Sequence, residues 1–327
     1  MSTSGRMSTS VDMGTSEQMS TSVDMSSRDR RSVQYRLLAC DIDETLVRFP
    51  NPPSPRVAGA IQRAIANGVM VVLVTGRAFR RAQPVAQALG LATPIICNHG
   101  GSIRGGLDGQ MIYRRTMPRA LTMELVTWLQ GQQVCNLVFD GDQVYHDCLT
   151  DEVVPDFQVY TSADEYIRGE QCGWVHPPRG TPPSGCTHPP FFARDLRPHV
   201  PLETEVILST SKSHDHLAEV YEHARARWSA QARVLFSHPF GMDTMPYSSK
   251  SEALSWLAEH SSVVQEEVMA VGDGSNDADM LSWAGLGVAM GNGTPEAQAA
   301  ADVIAPPFDQ DGLAWAIERY LLPLVDK

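Results

Sequence analysis

From Arg36 onward, apolar positions alternate between short continuous runs and longer stretches where they recur every three or four residues. Arg36–Cys40 is a short apolar run that ends in acidic residues, and Pro55–Asn67 has helical spacing with Gly68 as its stop. Val69–Val74 reads as a buried strand, followed by a helix to about Leu89 and a third strand over Pro94–Cys97. The C-terminal part repeats this style. Lys250–His260 reads as a helix, Val268–Val271 as a strand, Asp277–Ala284 as a helix and Leu286–Ala289 as a strand. Pro295–Ala301 is then a helix, Asp302–Ile304 a strand and Gly312–Leu321 a closing helix. Strand and helix in turn imply a parallel sheet covered on both faces.

The middle of the chain reads differently. Ser102–Met117 and Val134–Asp147 look like hairpins turning at Leu107-Asp108-Gly109 and Gly141-Asp142, with a helix over Pro118–Gln130 between them. Glu203–Leu208, His214–Trp228 and Ala232–Ser237 read as strand, helix and strand. Hairpins mixed with helices predict an α+β domain inserted into a Rossmann-like, doubly wound α/β core. Cys172–Pro201 is crowded with proline and reads as an irregular excursion on that insert. Its Cys172, His176, Cys186 and His188 match no familiar zinc spacing. At the N-terminus, Met-Ser-Thr-Ser-Val-Asp-Met occurs at 7–13 and again at 19–25. Such Ser/Thr-rich text buries too little apolar surface to offset its ordering entropy, so a disordered tail is expected. The predicted layout is a tail over 1–33, core over 34–103, insert over 104–241 and core again over 242–327.

Composition narrows the partners. The formal charge of −12 argues against nucleic acid, whose phosphates recruit basic patches. It does not exclude a small anionic substrate, because one cation and one lysine reverse the sign locally. No apolar run approaches the ~18–20 residues of a membrane span, and no signal peptide is apparent. A cytoplasmic protein with its six cysteines as free thiols is the expectation. Oligomeric state is not legible.

Four clusters stand at the carboxyl ends of predicted parallel strands, where open α/β sheets bind ligands. Asp41-Ile42-Asp43 aims two acids at one cavity. Val74-Thr75-Gly76-Arg77 offers a hydroxyl and backbone N–H groups to phosphate oxygens. Lys250 opens a helix behind Ser248 and Ser249 and brings a point charge for a phosphate. Gly272-Asp273-Gly274-Ser275-Asn276-Asp277 returns two more carboxylates to the site through a tight turn. Clustered carboxylates repel one another unless a cation sits among them, and hard oxygen ligands without Cys or His point to Mg²⁺. Each cluster alone is weak; their order at equivalent strand ends makes the case. Asp41 can then attack phosphorus, and Asp43 can protonate the leaving alkoxide and later activate water.

These four clusters resemble, in order, the four motifs of the haloacid dehalogenase (HAD) superfamily. Asn98-His99-Gly100 and the run Trp283-Ala284-Gly285-Leu286-Gly287-Val288-Ala289-Met290-Gly291-Asn292 are similar to the Cof-type, class IIB branch. The resemblance implies a cap inserted after the third core strand and a Mg²⁺-dependent phosphatase for a small phosphorylated metabolite. It implies Asp41 as nucleophile and metal ligand, and Asp43 as acid/base with its backbone carbonyl on the metal. Asp273 would complete the ligands, with Asp277 direct or one step removed. Thr75, Gly76 and Lys250 would hold the phosphate with Asn276 beside it, and Asn98 would sit near the substrate. Glu44 stands where glycine is usual. Two rivals share these residues: a phosphotransferase or mutase of the same architecture, and a catalytically silent phosphometabolite-binding protein.

Overall fold

In the computed structural model the described residues are 35–48, 51–147, 191–238 and 240–322. The expected disordered tail and the Cys172, His176, Cys186 and His188 group lie outside them. The first elements are β1 (Leu37–Cys40), α1 (Pro55–Ala66), β2 (Met70–Leu73), α2 (Phe79–Ala88), β3 (Ile95–Cys97), β4 (Ser102–Arg104) and β5 (Met111–Arg114). Then come β6 (Met117–Pro118), α3 (Arg119–Gln130), β7 (Cys135–Asp140), β8 (Gln143–His146), β9 (Phe191–Phe192), β10 (Glu203–Thr204) and β11 (Val206–Thr210). The chain continues through α4 (His214–Trp228), β12 (Arg233–His238), β13 (Gly241–Met245), α5 (Lys250–His260) and β14 (Val268–Gly272). It closes with α6 (Ala278–Trp283), β15 (Leu286–Ala289), α7 (Pro295–Ala300), β16 (Val303–Ile304) and α8 (Gly312–Tyr320).

Five parallel strands in the order β16-β15-β14-β1-β2 make the core sheet. The alternation of β1 explains why its run is apolar throughout. Leu38 and Cys40 enter one hydrophobic cluster with α1, α2 and α8, while Leu37 and Ala39 enter another with α5, α6 and α7. A strand buried on both faces has no polar side to show. Helix α1 forms as its sequence dictates: the Ser54 hydroxyl caps Val57 N–H, Pro55 starts the helix, and Val57, Ala60, Ile61 and Ala64 face the core. A parallel bridge between Val74 and Ile96 carries the sheet on to β3, which pairs antiparallel with β4, and β4 with β5.

A second, mainly antiparallel sheet, ordered β12-β13-β11-β7-β8-β9, makes the inserted cap. Helices α3 and α4 cover one face through Leu125, Leu129, Leu217 and Trp228. The other face carries Leu137, Phe139, Leu208 and Met245, against which Ala78 of the core packs. Two readings are refined here. Glu203–Leu208 is not one strand: β10 pairs with β6, Glu205 breaks the run, and β11 pairs with β7. Strand β13 went unread because Gly-Met-Asp-Thr-Met shows no clear alternation, although Met242 and Met245 are buried in opposite clusters. The expectation of free thiols holds for buried Cys40 and Cys97 and fails at Cys135, which is disulfide-bonded. Among the described residues, no helix is long and apolar enough to cross a membrane.

Candidate active site

Asp41 is the first residue beyond β1, and its N–H donates to the Val271 carbonyl at 3.0 Å, so its place is fixed by the ladder itself. Lys250 starts α5, whose first turn is capped by the Ser249 hydroxyl. The Lys250 ammonium is almost wholly buried and donates to Asp41 Oδ1 at 2.6 Å and Asp277 Oδ1 at 2.5 Å. The second Asp277 oxygen accepts from the N–H groups of Asp273 and Gly274 at 3.0 and 2.8 Å. Gly272 is required for that turn, since a Cβ there would lie 2.5 Å from Asp277 Cγ. Thr45 donates its hydroxyl to Asp273 Oδ1 at 2.8 Å.

One carboxylate oxygen from each of Asp41, Asp273 and Asp277 lies within 4.8 Å of the others. Burial pushes the Asp41 carboxyl well above its ordinary range, opposed by Lys250 and reinforced by Asp277 and Asp273. Burial likewise lifts Asp273 to about 7, partly offset by the Thr45 hydrogen bond. Burial works against the Lys250 charge, but Asp277 and Asp41 outweigh it and hold the ammonium above its usual value. Three acids thus share one ammonium. Such an oxygen cluster fits a hard divalent cation, which would displace the extra protons.

Asp43 meets a different fate. Its side chain is 48% exposed and takes a two-pronged ion pair from Arg77, with Nη2–Oδ1 at 2.5 Å and Nε–Oδ2 at 2.9 Å. Its surroundings raise the carboxyl, but the charge and hydrogen bonds of Arg77, helped by Arg81 and Lys250, hold it below its ordinary value. As it stands, Asp43 is an anion and its carboxylate lies outside the metal-like trio. Glu44 follows with φ of +56°, in the left-handed region that favours glycine. Its carboxylate turns to Arg48, which donates through Nε at 2.9 and 2.8 Å.

Thr75 is buried at the end of β2, where its hydroxyl accepts from the Arg77 N–H at 3.1 Å. Asn98 and His99 both adopt left-handed backbone, with φ of 51° and 52°. Asn98 directs its amide to Glu205 Oε2 of the cap at 2.7 Å. Asn276 lies 3.3 Å from His99 Nδ1. The sequence-named residues therefore divide into a floor (Asp41, Lys250, Asp273, Asp277), the half-exposed rim acid Asp43, and residues engaged elsewhere: buried Thr75 with the Arg77 N–H, buried Asn98 with Glu205, and Gly76 and Asn276 beside the His99 ring. Sequence reasoning assigned nothing to Thr45, Arg77, His99, Glu205 or Asp243. The first three sit inside or beside quoted motifs; Glu205 and Asp243 carry no local signal.

The haloacid dehalogenase-like hydrolase family model matches residues 38–171 and 198–317, well over half of the chain. The phosphatase YwpJ of Bacillus subtilis is 27% identical over 293 residues, 88% of this chain and 100% of its own length. The 5-amino-6-(5-phospho-D-ribitylamino)uracil phosphatase YitU, also of Bacillus subtilis, is 27% identical over 87% of this chain and 97% of its own. Among solved structures, a haloacid dehalogenase-like hydrolase of Bacteroides thetaiotaomicron superposes with a TM-score of 0.71 at 26% identity, over 88% of this chain and 99% of its own. A subclass IIB sugar phosphatase shares the fold, with a TM-score of 0.66 at 20% identity over 87% and 98% of the two chains. The chain belongs to the haloacid dehalogenase-like hydrolase family, and curated relatives that match nearly its whole core and cap are phosphatases.

Proposed function

We propose that the chain is a Mg²⁺-dependent phosphatase that hydrolyses a small phosphorylated metabolite through an aspartyl-phosphate on Asp41. The observation that carries this is the Lys250 ammonium held between Asp41 and Asp277, with Asp273 within the same few ångströms. Asp41, Asp273 and, directly or one step removed, Asp277 would hold the ion, with the backbone carbonyl of Asp43. When bound, Mg²⁺ supplies positive charge to the phosphoryl oxygens. Asp277 is the acid least suited to direct ligation, since both of its oxygens already accept hydrogen bonds. Thr75, Gly76, Lys250 and Asn276 would seat the phosphate, with Asn98 close to the substrate.

In the first half-reaction an Asp41 oxygen bonds to phosphorus as the bond to the leaving oxygen breaks, and Asp43 delivers a proton to that oxygen. In the second half, ionised Asp43 takes a proton from the water that cleaves the aspartyl-phosphate. The Arg77 pairing keeps Asp43 in the ionised form, which suits the second half. Proton delivery in the first requires the carboxyl to part from Arg77 and take up a proton from solvent, which it then passes to the leaving oxygen. A small substrate agrees with the YitU relative, whose name specifies a phosphorylated ribitylaminouracil. The four-part layout inferred from sequence is part of the same proposal. Pairing of Gly241–Met245 with β11 and β12 favours a cap that ends near Pro246 rather than at 241. A cytoplasmic location is likewise proposed.

Purified protein assayed for inorganic phosphate over a panel of phosphorylated metabolites tests the reading. Release that requires Mg²⁺, stops with chelator and vanishes in Asp41→Asn is expected. Tight binding of a panel member with no release would establish the silent binder instead. Phosphoryl transfer to a second added metabolite, without release, would establish the transferase.

A further inference from the structure

Arg77 follows Thr75-Gly76 in the chain, but its guanidinium is committed to Asp43. Nε donates to Oδ2 at 2.9 Å and Nη2 to Oδ1 at 2.5 Å, a side-on fork that engages both oxygens of one carboxylate. The third nitrogen, Nη1, donates to the Arg81 carbonyl in the first turn of α2 at 3.2 Å. The backbone of Arg77 is pinned as well. Its N–H donates to the Thr75 hydroxyl at 3.1 Å, and its carbonyl accepts from the Asn98 N–H, just beyond β3, at 2.9 Å. The arginine side chain is 9% exposed, so the fork is presented from a fixed and nearly buried base.

Asp43 is held differently. The Leu46 and Val47 N–H groups close a turn on the Ile42 carbonyl, and the Glu44 N–H donates to the Val47 carbonyl, which sets the backbone on either side of Asp43. Only the side-chain torsions are left to choose, and a half-exposed aspartate has several staggered positions open to it. The fork selects one of them. An ionised carboxylate has about four acceptor positions; the fork takes one on each oxygen and leaves the rest for water at the exposed face. A lysine at 77 would bring the same charge without that directional control.

Resting on the phosphatase reading, we propose that Arg77 is the positioning residue of the hydrolytic half-reaction. It holds the Asp43 carboxylate at the angle from which it takes the proton of the water that cleaves the aspartyl-phosphate. In that step the water oxygen bonds to phosphorus. The bond between phosphorus and the Asp41 oxygen breaks, its electron pair returns to the Asp41 carboxylate, and the water proton passes to Asp43. Loss of the fork leaves the reacting groups in place and removes only the aim. The first half-reaction draws no benefit from the fork, because Asp43 must leave Arg77 to deliver a proton. Arg77 therefore sets how long the aspartyl-phosphate lives, not how fast it forms.

Pre-steady-state turnover of p-nitrophenyl phosphate with Mg²⁺ separates the two halves, since p-nitrophenolate departs without a proton donor. In the full chain, Arg77→Ala should give a nearly stoichiometric burst of p-nitrophenolate and then a kcat lowered by about 10-fold to 10²-fold, the scale of a misplaced group. Its kcat/KM should hold, because that ratio reports formation of the aspartyl-phosphate. Arg77→Lys, with the charge but not the fork, should show the same burst and slow second phase, and it serves in place of the alanine variant if that chain melts early. In the Asp43→Asn background, Arg77→Ala should slow turnover no further, because the group it aims is gone. A general structural role or a direct grip on phosphate would instead lower kcat/KM and persist in that background. An unchanged kcat, a kcat/KM that falls with kcat, full activity in Arg77→Lys, or an equal loss without Asp43 each overturns the proposal. A wild-type chain that turns over neither p-nitrophenyl phosphate nor any phosphorylated metabolite overturns the phosphatase reading itself.

Discussion

Asp41 and Asp43 are one residue apart in the same short run, yet they occupy opposite electrostatic worlds. Asp41 belongs to the floor of the site, sealed under the sheet edge and tied to a buried ammonium. Asp43 belongs to the rim, about half exposed and gripped by a guanidinium. Burial raises the first carboxyl and Arg77 lowers the second. Two chemically identical groups thus acquire opposite charge preferences from their surroundings, and the roles proposed for them would require a cation to restore the Asp41 anion and release of Asp43 from Arg77. The difference teaches that the spacing of the pair delivers both acids to the cavity, whereas partners from distant parts of the chain divide the labour.

The largest test of that division is at the floor. Asp41→Asn keeps the shape and removes the nucleophile, so kcat should fall by about four orders of magnitude or more in a phosphate-release assay. Lys250 keeps Asp277 as its partner, so the fold should survive. A residual rate within tenfold of wild type would end the contrast. At the rim, Asp43→Asn should lower kcat by about 10² to 10⁴, the range of one positioned proton donor. Metal affinity should remain, because the Asp43 carboxylate is not in the cation-sized cluster; calorimetric titration with Mg²⁺ checks this.

The pH response sharpens the comparison further. Folding lifts Asp273 from its ordinary value to about 7, so between about pH 4 and 7 the metal-free fold holds a proton that the unfolded chain has released. Through this group, the metal-free protein loses stability as pH rises across that window. A cation must expel the same proton. Through Asp273 alone, apparent Mg²⁺ affinity should therefore fall by about tenfold for each pH unit below 7, and more steeply where Asp41 also holds a proton, measured by titration at fixed ionic strength. A flat profile from pH 5 to 7 would remove Asp273 from the site. The smallest effect is expected at Glu44→Gly, next to the rim acid. Glycine relieves a left-handed backbone that costs about 1 kcal/mol and forfeits an exposed pair with Arg48 that contributes little. The melting temperature should rise slightly or stay level, and a marked fall would show that Glu44 does more than tolerate its position.

Much of this was legible before any coordinates. The core strands and helices fell close to their predicted spans because strands buried on both faces and helices with one buried stripe leave plain periodic marks. Lys250, Asp41, Asp273 and Asp277 converge because each directly follows, or opens, such an element. The cap was harder to read. Glu205 interrupts what looked like one strand, and β13 lacks the alternation that would have revealed it. Its Asp243 therefore had no address. Arg77 stood in a quoted motif without a partner, since nothing local ties it to Asp43.

The sequence by itself determined the three-layered α/β core, the four strand-end clusters and the type of chemistry proposed for them, because backbone periodicity and residue type are local properties. Only the tertiary structure decided which acid is buried and which is paired, and that His99 faces Asp243 across the seam between core and cap. Those facts depend on distances between residues far apart along the chain. Burial and partner charge act through space, so spacing in sequence could not express them.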